Sequence, residues 1–109
     1  MKRVKMYGVL LLLAFATNLM GQNWNVQQKE VWNNVEAYWA LQTKGDVDGF
    51  LSYFSADYMG WDYNSPVPQS KASTAKYVAH GLKNSKTLFY DIVPLAILVY
   101  DDIAIVDYY

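Results

Sequence analysis

Asp107 is the acidic residue whose neighbours in sequence best suit proton transfer. In the apolar run from Ile103 to Tyr109, strand alternation places Asp107 on the same face as Ile103 and Ile105. If that face lines a hollow, burial favours the neutral acid and makes the carboxyl group a candidate for acid–base catalysis. The alternative is a hydrated carboxylate at the mouth of a pocket or on an open strand edge.

Asp62 and Tyr58 form a second candidate pair for catalysis. Both lie on one face of the strand predicted from Asp57 to Tyr63, with Gly60 between them. A phenol beside a carboxyl group is a donor set that stabilises enolates in isomerase-type pockets. The alternative for Asp62 is a strand-end residue that turns into the loop at Pro66. Gly60 leaves room for a ligand or a close backbone, or marks a bulge.

Aromatic side chains are more numerous than a small core requires, at 16 of the 88 residues after position 21. A group of them would suit a pocket for a flat, apolar ligand, and its members are Tyr38, Trp39, Tyr58, Trp61 and Tyr90. Aromatic residues at helical spacing are also typical of plain core. That alternative applies above all to Trp32 and Trp39.

Several chemistries lack the residues that they need. The sequence has no cysteine, no Gly-x-Ser-x-Gly elbow and no glycine-rich phosphate loop, which argues against nucleophilic catalysis and nucleotide binding. One histidine without a partner at ligand spacing predicts no metal site, and no cofactor is expected. That histidine, His80, lies well away from the apolar stripe of its predicted helix, so we expect it to face solvent or a neighbouring molecule.

Residues 1–21 have the three-part organisation of a secretory signal peptide. Three basic residues lie within the first five, and an apolar run from Met6 to Ala16 and a more polar stretch ending at Gly21 follow. The run is shorter than the roughly 18 residues of a spanning helix, although a retained anchor is the alternative. We predict cleavage after Gly21, with Ala16 as the other candidate, and export to the periplasm or medium of a bacterium.

The predicted mature domain, residues 22–109, is acidic. It carries six lysines and no arginine against ten acidic residues, a formal charge of about −4. Nucleic acids and anionic membranes bind basic surfaces, so neither is expected as a partner after cleavage.

Periodicity predicts the helices that would position these groups. Five apolar residues lie on one face of a helix from about Asn25 to Thr43, namely Val31, Trp32, Val35, Tyr38 and Trp39, while Gln28 is assigned to the other face. Gly45 and Asp46 suit a helix stop and the cap of a short second helix. A third helix begins after Ser70 or Ser73 and ends near Lys83.

The C-terminal part is predicted to be β-structure. Two β-rich runs, Thr87 to Val93 and Leu95 to Tyr100, flank Pro94, which indicates one long strand bent at a bulge or edge. A turn at Asp101 and Asp102 leads into a strand from Ile103 to Tyr109. Because Leu95 to Val99 is apolar at every position, both sheet faces should be covered, one of them by a second copy of the chain. The apolar final strand also suggests that one or two further strands follow Tyr109.

This order of elements resembles the nuclear transport factor 2-like superfamily, in particular its exported SnoaL-like and ketosteroid-isomerase-like branch. The resemblance covers about Gln28 to Tyr109. The segments that carry it are Trp32 to Trp39, Gly45–Asp46, Phe50 to Phe54, Asp57 to Asp62, Pro94 to Ile97 and Asp102 to Val106. It implies an α+β cone, in which a strongly bent antiparallel sheet packs on a long N-terminal helix and two shorter ones. It also implies a pocket at the open end and dimers through the outer sheet face.

We therefore predict an exported, pocket-bearing domain that binds a small hydrophobic or aromatic molecule. One alternative is a cofactor-free isomerase or cyclase that uses Asp107 or Asp62 as acid–base and Tyr58 or Tyr38 as hydrogen-bond donor. The other is a dimerising interaction module whose hollow is filled by its own side chains.

Overall fold

The structure, a computed structural model, describes residues 22–109. The predicted signal peptide lies outside the described residues. In this part of the chain the fold is α+β, with three helices and two small antiparallel sheets and no closed barrel. The elements are α1 (Val26–Lys44), α2 (Val47–Leu51), β1 (Met59–Gly60), β2 (Gln69–Ser70), α3 (Lys71–Asn84), β3 (Pro94–Tyr100) and β4 (Ile103–Tyr108).

Helix α1 has a defined signal at each end. At its start the Asn25 side chain accepts the Gln28 N–H, and the Gln28 side chain accepts the Asn25 N–H, both at 2.9 Å. At its end Gly45 adopts φ 79°, a left-handed conformation that favours glycine, and its N–H donates to Gln42 O. The predicted limits are therefore correct to within one residue.

The apolar face of α1 packs against the β3–β4 hairpin. Val35 is buried and the other four predicted members of the face are half-buried. The assignment of Gln28 to the opposite face is wrong, because its Nε2 donates to Ile97 O across the interface at 2.8 Å. Gln28 lies one heptad before Val35, and its polar end has a strand carbonyl to bind.

Helix α2 follows directly and is capped by Asp46, whose carboxylate accepts the Gly49 N–H at 2.9 Å. Its buried residues are Phe50 and Leu51. The helix ends at Leu51, and Phe54 lies in the turn that follows.

The strand predicted from Asp57 to Tyr63 is reduced to the two residues of β1. They pair with β2 in the register Met59↔Ser70 and Gly60↔Gln69. Ser70 then caps α3 by accepting the Ser73 N–H, so the first of the two predicted caps is used. Helix α3 contains no buried residue, so the apolar stripe predicted for it is less buried than expected.

The β3–β4 hairpin has the predicted turn and the predicted irregularity. Asp101 takes φ 50°, which aspartate tolerates better than most residues. Register pairs run from Tyr100↔Ile103 to Ala96↔Asp107, and the ladder shifts between Pro94 and Ala96. Ile97 on the inner face is 2% exposed and is the most deeply buried residue of the described chain.

The strand predicted from Thr87 to Val93 is wrong for all but its last residue. Val93 exchanges two backbone hydrogen bonds with Tyr109, whereas Ser85 to Ile92 has no regular structure. Leu88, Phe89 and Tyr90 are exposed there, and none of the strands within residues 22–109 pairs with that stretch.

Candidate functional site

A pocket of about 360 Å³ lies between the β1–β2 connection and α3. The first wall carries Tyr58, Gly60 and Asp62, which are the three residues predicted to share one side of that segment. The connecting loop and β2 contribute Asn64, Ser65, Pro66 and Gln69, and α3 contributes Thr74, Tyr77 and Val78. Its volume lies in the range of small-molecule sites, roughly 300–1,000 Å³.

Tyr58 is held in the wall by two contacts. Its ring stacks on Phe54 with centroids 4.6 Å apart and planes inclined by 15°. Its other contact is with the backbone of Gly60, because a Cβ atom at position 60 would overlap the Tyr58 phenol. The space that Gly60 leaves free is thus filled by Tyr58 itself, and not by a ligand.

Asp62 is fixed by a turn at the head of the loop. Its Oδ1 accepts the Asn64 N–H at 2.8 Å, and its carbonyl oxygen accepts the Ser65 N–H at 2.9 Å. The loop is closed by Gln69, whose Nε2 donates to Ser65 Oγ at 3.0 Å. These bonds hold the carboxylate at the pocket without using both of its oxygens.

Tyr108 lies at the centre of an aromatic cluster on the inner face of the hairpin, apart from the pocket. Its hydroxyl accepts the indole N–H of Trp39 at 2.9 Å and makes a very short contact with the Tyr38 hydroxyl. Trp32 meets the Tyr108 ring edge-on, with centroids 5.8 Å apart. Burial and the Tyr108 hydroxyl together raise the pKa of Tyr38 well above its usual range. Tyr108 is not among the predicted site residues. Strand alternation in β4 is the one sequence signal that places it on the side facing the helix.

A row of aromatic contacts joins this cluster to the pocket. Tyr38 contacts Phe50 at a centroid distance of 5.6 Å, Phe50 contacts Phe54 at 5.1 Å, and Phe54 stacks on Tyr58. A shallow groove beside the row is lined mainly by apolar residues of α1 and β4, including Val31, Val35, Ala104 and Val106. It lacks a charged group.

The remaining predicted site residues do not line the pocket. Trp61 is 71% exposed and donates its indole N–H to Ser65 O, while Tyr90 borders a shallow depression on α1. The five aromatics proposed for one pocket are therefore dispersed. Asp107 lies on the exposed face of β4 with Ile103 and Ile105, the placement expected of a hydrated carboxylate. His80 is exposed and contacts Asn84 in the same helix.

Chemically, the pocket offers one carboxylate, two phenols and several neutral hydrogen-bonding groups around an apolar floor. Within residues 22–109 no cluster of three or more histidine, cysteine or acidic residues is arranged to hold a metal ion. Across the same residues, no helix combines the length and apolarity that crossing a membrane requires.

Comparisons with known proteins do not identify a relative. No protein-family model matches the chain, and searches of curated proteins and of solved structures gave no significant match. The resemblance to the nuclear transport factor 2-like superfamily therefore stays a prediction. What the pocket can bind must be inferred from its own side chains.

Gly60→Ala should destabilise the protein by about 1–2 kcal/mol, because the new methyl group displaces Tyr58 from its stack on Phe54. Denaturant unfolding of a double-mutant cycle tests this reason. In a Tyr58→Ala background the penalty should largely disappear.

Gly81→Ala is the matched control for this cycle. Position 81 lies in α3 with open space around its Cα, so alanine should stabilise the helix by up to about 1 kcal/mol. An additive cycle for positions 58 and 60 would contradict the assigned contact.

Tyr38 should make stability fall at alkaline pH. Its pKa is raised in the folded state, so its contribution is complete below the unfolded value of about 10 and is lost as pH rises through the folded value. The free energy of unfolding should decline more steeply above pH 10 in the wild type than in Tyr38→Phe. The difference should reach up to about 1 kcal/mol per pH unit, and parallel curves would contradict it.

Proposed function

We propose that this domain binds a small, flat, largely apolar molecule in the pocket between the β1–β2 connection and α3. One observation carries the proposal: Tyr58, Tyr77 and Asp62 converge on a single cavity of about 360 Å³. Aromatic walls with a few placed polar groups are typical of sites that bind drug-sized ligands.

The fixed positions of Tyr58 and Asp62 support a binding role for this pocket. The ring is fixed between Phe54 and Gly60, and Asp62 is fixed by its turn, so both groups are oriented before a ligand arrives. Orientation in advance lowers the entropic cost of binding. The groove between α1 and β4 is lined mainly by apolar residues and has no charged group to orient a ligand.

An enzyme of isomerase or cyclase type is a second candidate for the same pocket. Asp62 and Tyr58 line it together, as a proton-transfer group and a hydrogen-bond donor must. Asp107 lies elsewhere and would have no part. Loss of turnover with ligand affinity retained in Asp62→Asn distinguishes this candidate from simple binding.

The wider setting proposed for the domain comes from its sequence. We infer that the chain is exported and shares the cone-like arrangement of the nuclear transport factor 2-like superfamily. The packing of α1 on an antiparallel hairpin and the contact of Trp32 and Trp39 with Tyr108 are consistent with such an arrangement.

A homodimer is proposed through the outer face of the β3–β4 hairpin. That face presents Leu98, Tyr100, Ile103 and Ile105, all of them large and exposed. An exposed apolar patch of this kind suits an isologous contact between identical chains.

Leu98→Lys should weaken this dimer by at least about 30-fold, because it would place an ammonium group inside the apolar contact between the chains, where it loses hydration. Sedimentation velocity measures the change. Leu88→Lys is the control, since Leu88 is exposed and belongs to an irregular segment outside the two strands of the hairpin. A wild-type protein that stays monomeric at every concentration would contradict the dimer.

Thr74→Trp should reduce ligand affinity at least about 10-fold, because the indole fills the pocket from the α3 side. Lys76→Trp is the matched control, an exposed position in the same helix that does not line the pocket. A thermal-shift screen of aromatic compounds, followed by calorimetric titration, provides the measurement. Equal affinities in the two variants would place the ligand elsewhere.

A further inference from the structure

The pocket wall has one formal charge. Among the residues from 22 to 109 that line the cavity, Asp62 is the one member of the acidic and basic residue types. Its Oδ1 accepts a backbone N–H, which leaves Oδ2 for a ligand. Asp62 is exposed, and an ionised carboxylate hydrogen-bonds more strongly to a cation than to a neutral donor.

The neighbouring lysine does not neutralise this carboxylate. Lys71 follows β2 directly, but its ammonium group donates to Phe54 O at 2.7 Å. The positive end of α3 is capped by Ser70, and the helix meets the pocket through the side chains of Thr74, Tyr77 and Val78. The charge of the wall is therefore set by Asp62.

The other wall groups accept a cation as well. Tyr58 and Tyr77 contribute aromatic rings, whose faces attract an ammonium group, and their hydroxyls accept hydrogen bonds. Pro66 and Val78 add an apolar surface for the body of the ligand. The acidic composition of residues 22–109 further favours positively charged ligands over anions.

The geometry points to a small arylalkylamine as the ligand class, with its ammonium group on Asp62 and its ring among Tyr58, Tyr77 and Val78. This inference rests on the proposed binding function and adds that the ligand is positively charged. It distinguishes cationic ligands from neutral and anionic molecules of the same size.

Three probes of matched shape test the sign of charge: 2-phenylethylamine, 2-phenylethanol and phenylacetate. Titrated calorimetrically into the protein at pH 7, the amine should bind about 10-fold more tightly than the alcohol, and phenylacetate should bind most weakly. Added salt should reduce the preference for the amine.

Asp62→Asn removes the charge but keeps an oxygen that can accept the Asn64 N–H, so the turn is retained. In this variant the amine and the alcohol should bind within about 2-fold of each other. Asp57→Asn is the matched control, because Asp57 is exposed and does not line the pocket. It should keep the wild-type preference.

The outcomes separate the two proposals. Equal binding of amine and alcohol to the wild type, with both weakened by Thr74→Trp, overturns the amine inference and leaves the binding site standing. A preference that persists in Asp62→Asn also overturns it. Binding that Thr74→Trp does not affect overturns the proposed site itself.

Discussion

The hydroxyl group of Tyr108 joins β4, the last strand of the described chain, to helix α1. It lies near the end of β4 and meets Trp39 and Tyr38, some 70 residues earlier on α1. At the other end of the same interface, Gln28 bonds to the carbonyl of Ile97. These polar contacts set how α1 lies on the hairpin, because a small apolar interface alone would permit several alignments.

The pocket depends on this junction although it lies some distance from it. Tyr38, Phe50, Phe54 and Tyr58 are in contact one after another, so the wall of the pocket continues the packing of α1. Only the last ring of the row faces the cavity. The core thus fixes the orientation of a binding group through aromatic stacking, without a long regular sheet beneath it.

Local signals in the sequence predict local structure well. The ends of α1, the Asp46 and Ser70 caps and the turn at Asp101 all follow from residue types within four positions of each other. Strand alternation likewise places Tyr58, Gly60 and Asp62 on one side. The prediction of a strand from Thr87 to Val93 is wrong because it rests on composition alone. The composition favours β-structure, but a strand also needs a neighbouring strand to pair with.

Long-range partners are what the sequence leaves open. Nothing near Gln28 indicates that its amide reaches Ile97, and nothing near Tyr108 indicates two donors on α1. The dispersal of Trp61 and Tyr90 has the same origin, since aromatic composition favours a shared pocket without determining which rings meet. Asp62 is predictable as a site residue because Tyr58 and Gly60, which lie in the same wall of the pocket, are its near neighbours in the chain.

The small core has a thermodynamic consequence. In the described part of the chain the buried apolar residues are Val35, Phe50, Leu51 and Ile97. Heat-capacity change on unfolding scales with the apolar area that folding removes from water. A single chain should therefore have a shallow dependence of enthalpy on temperature and a broad melting transition. Covering the hairpin's outer face would sharpen that transition, so the shape of a calorimetric trace reports on assembly.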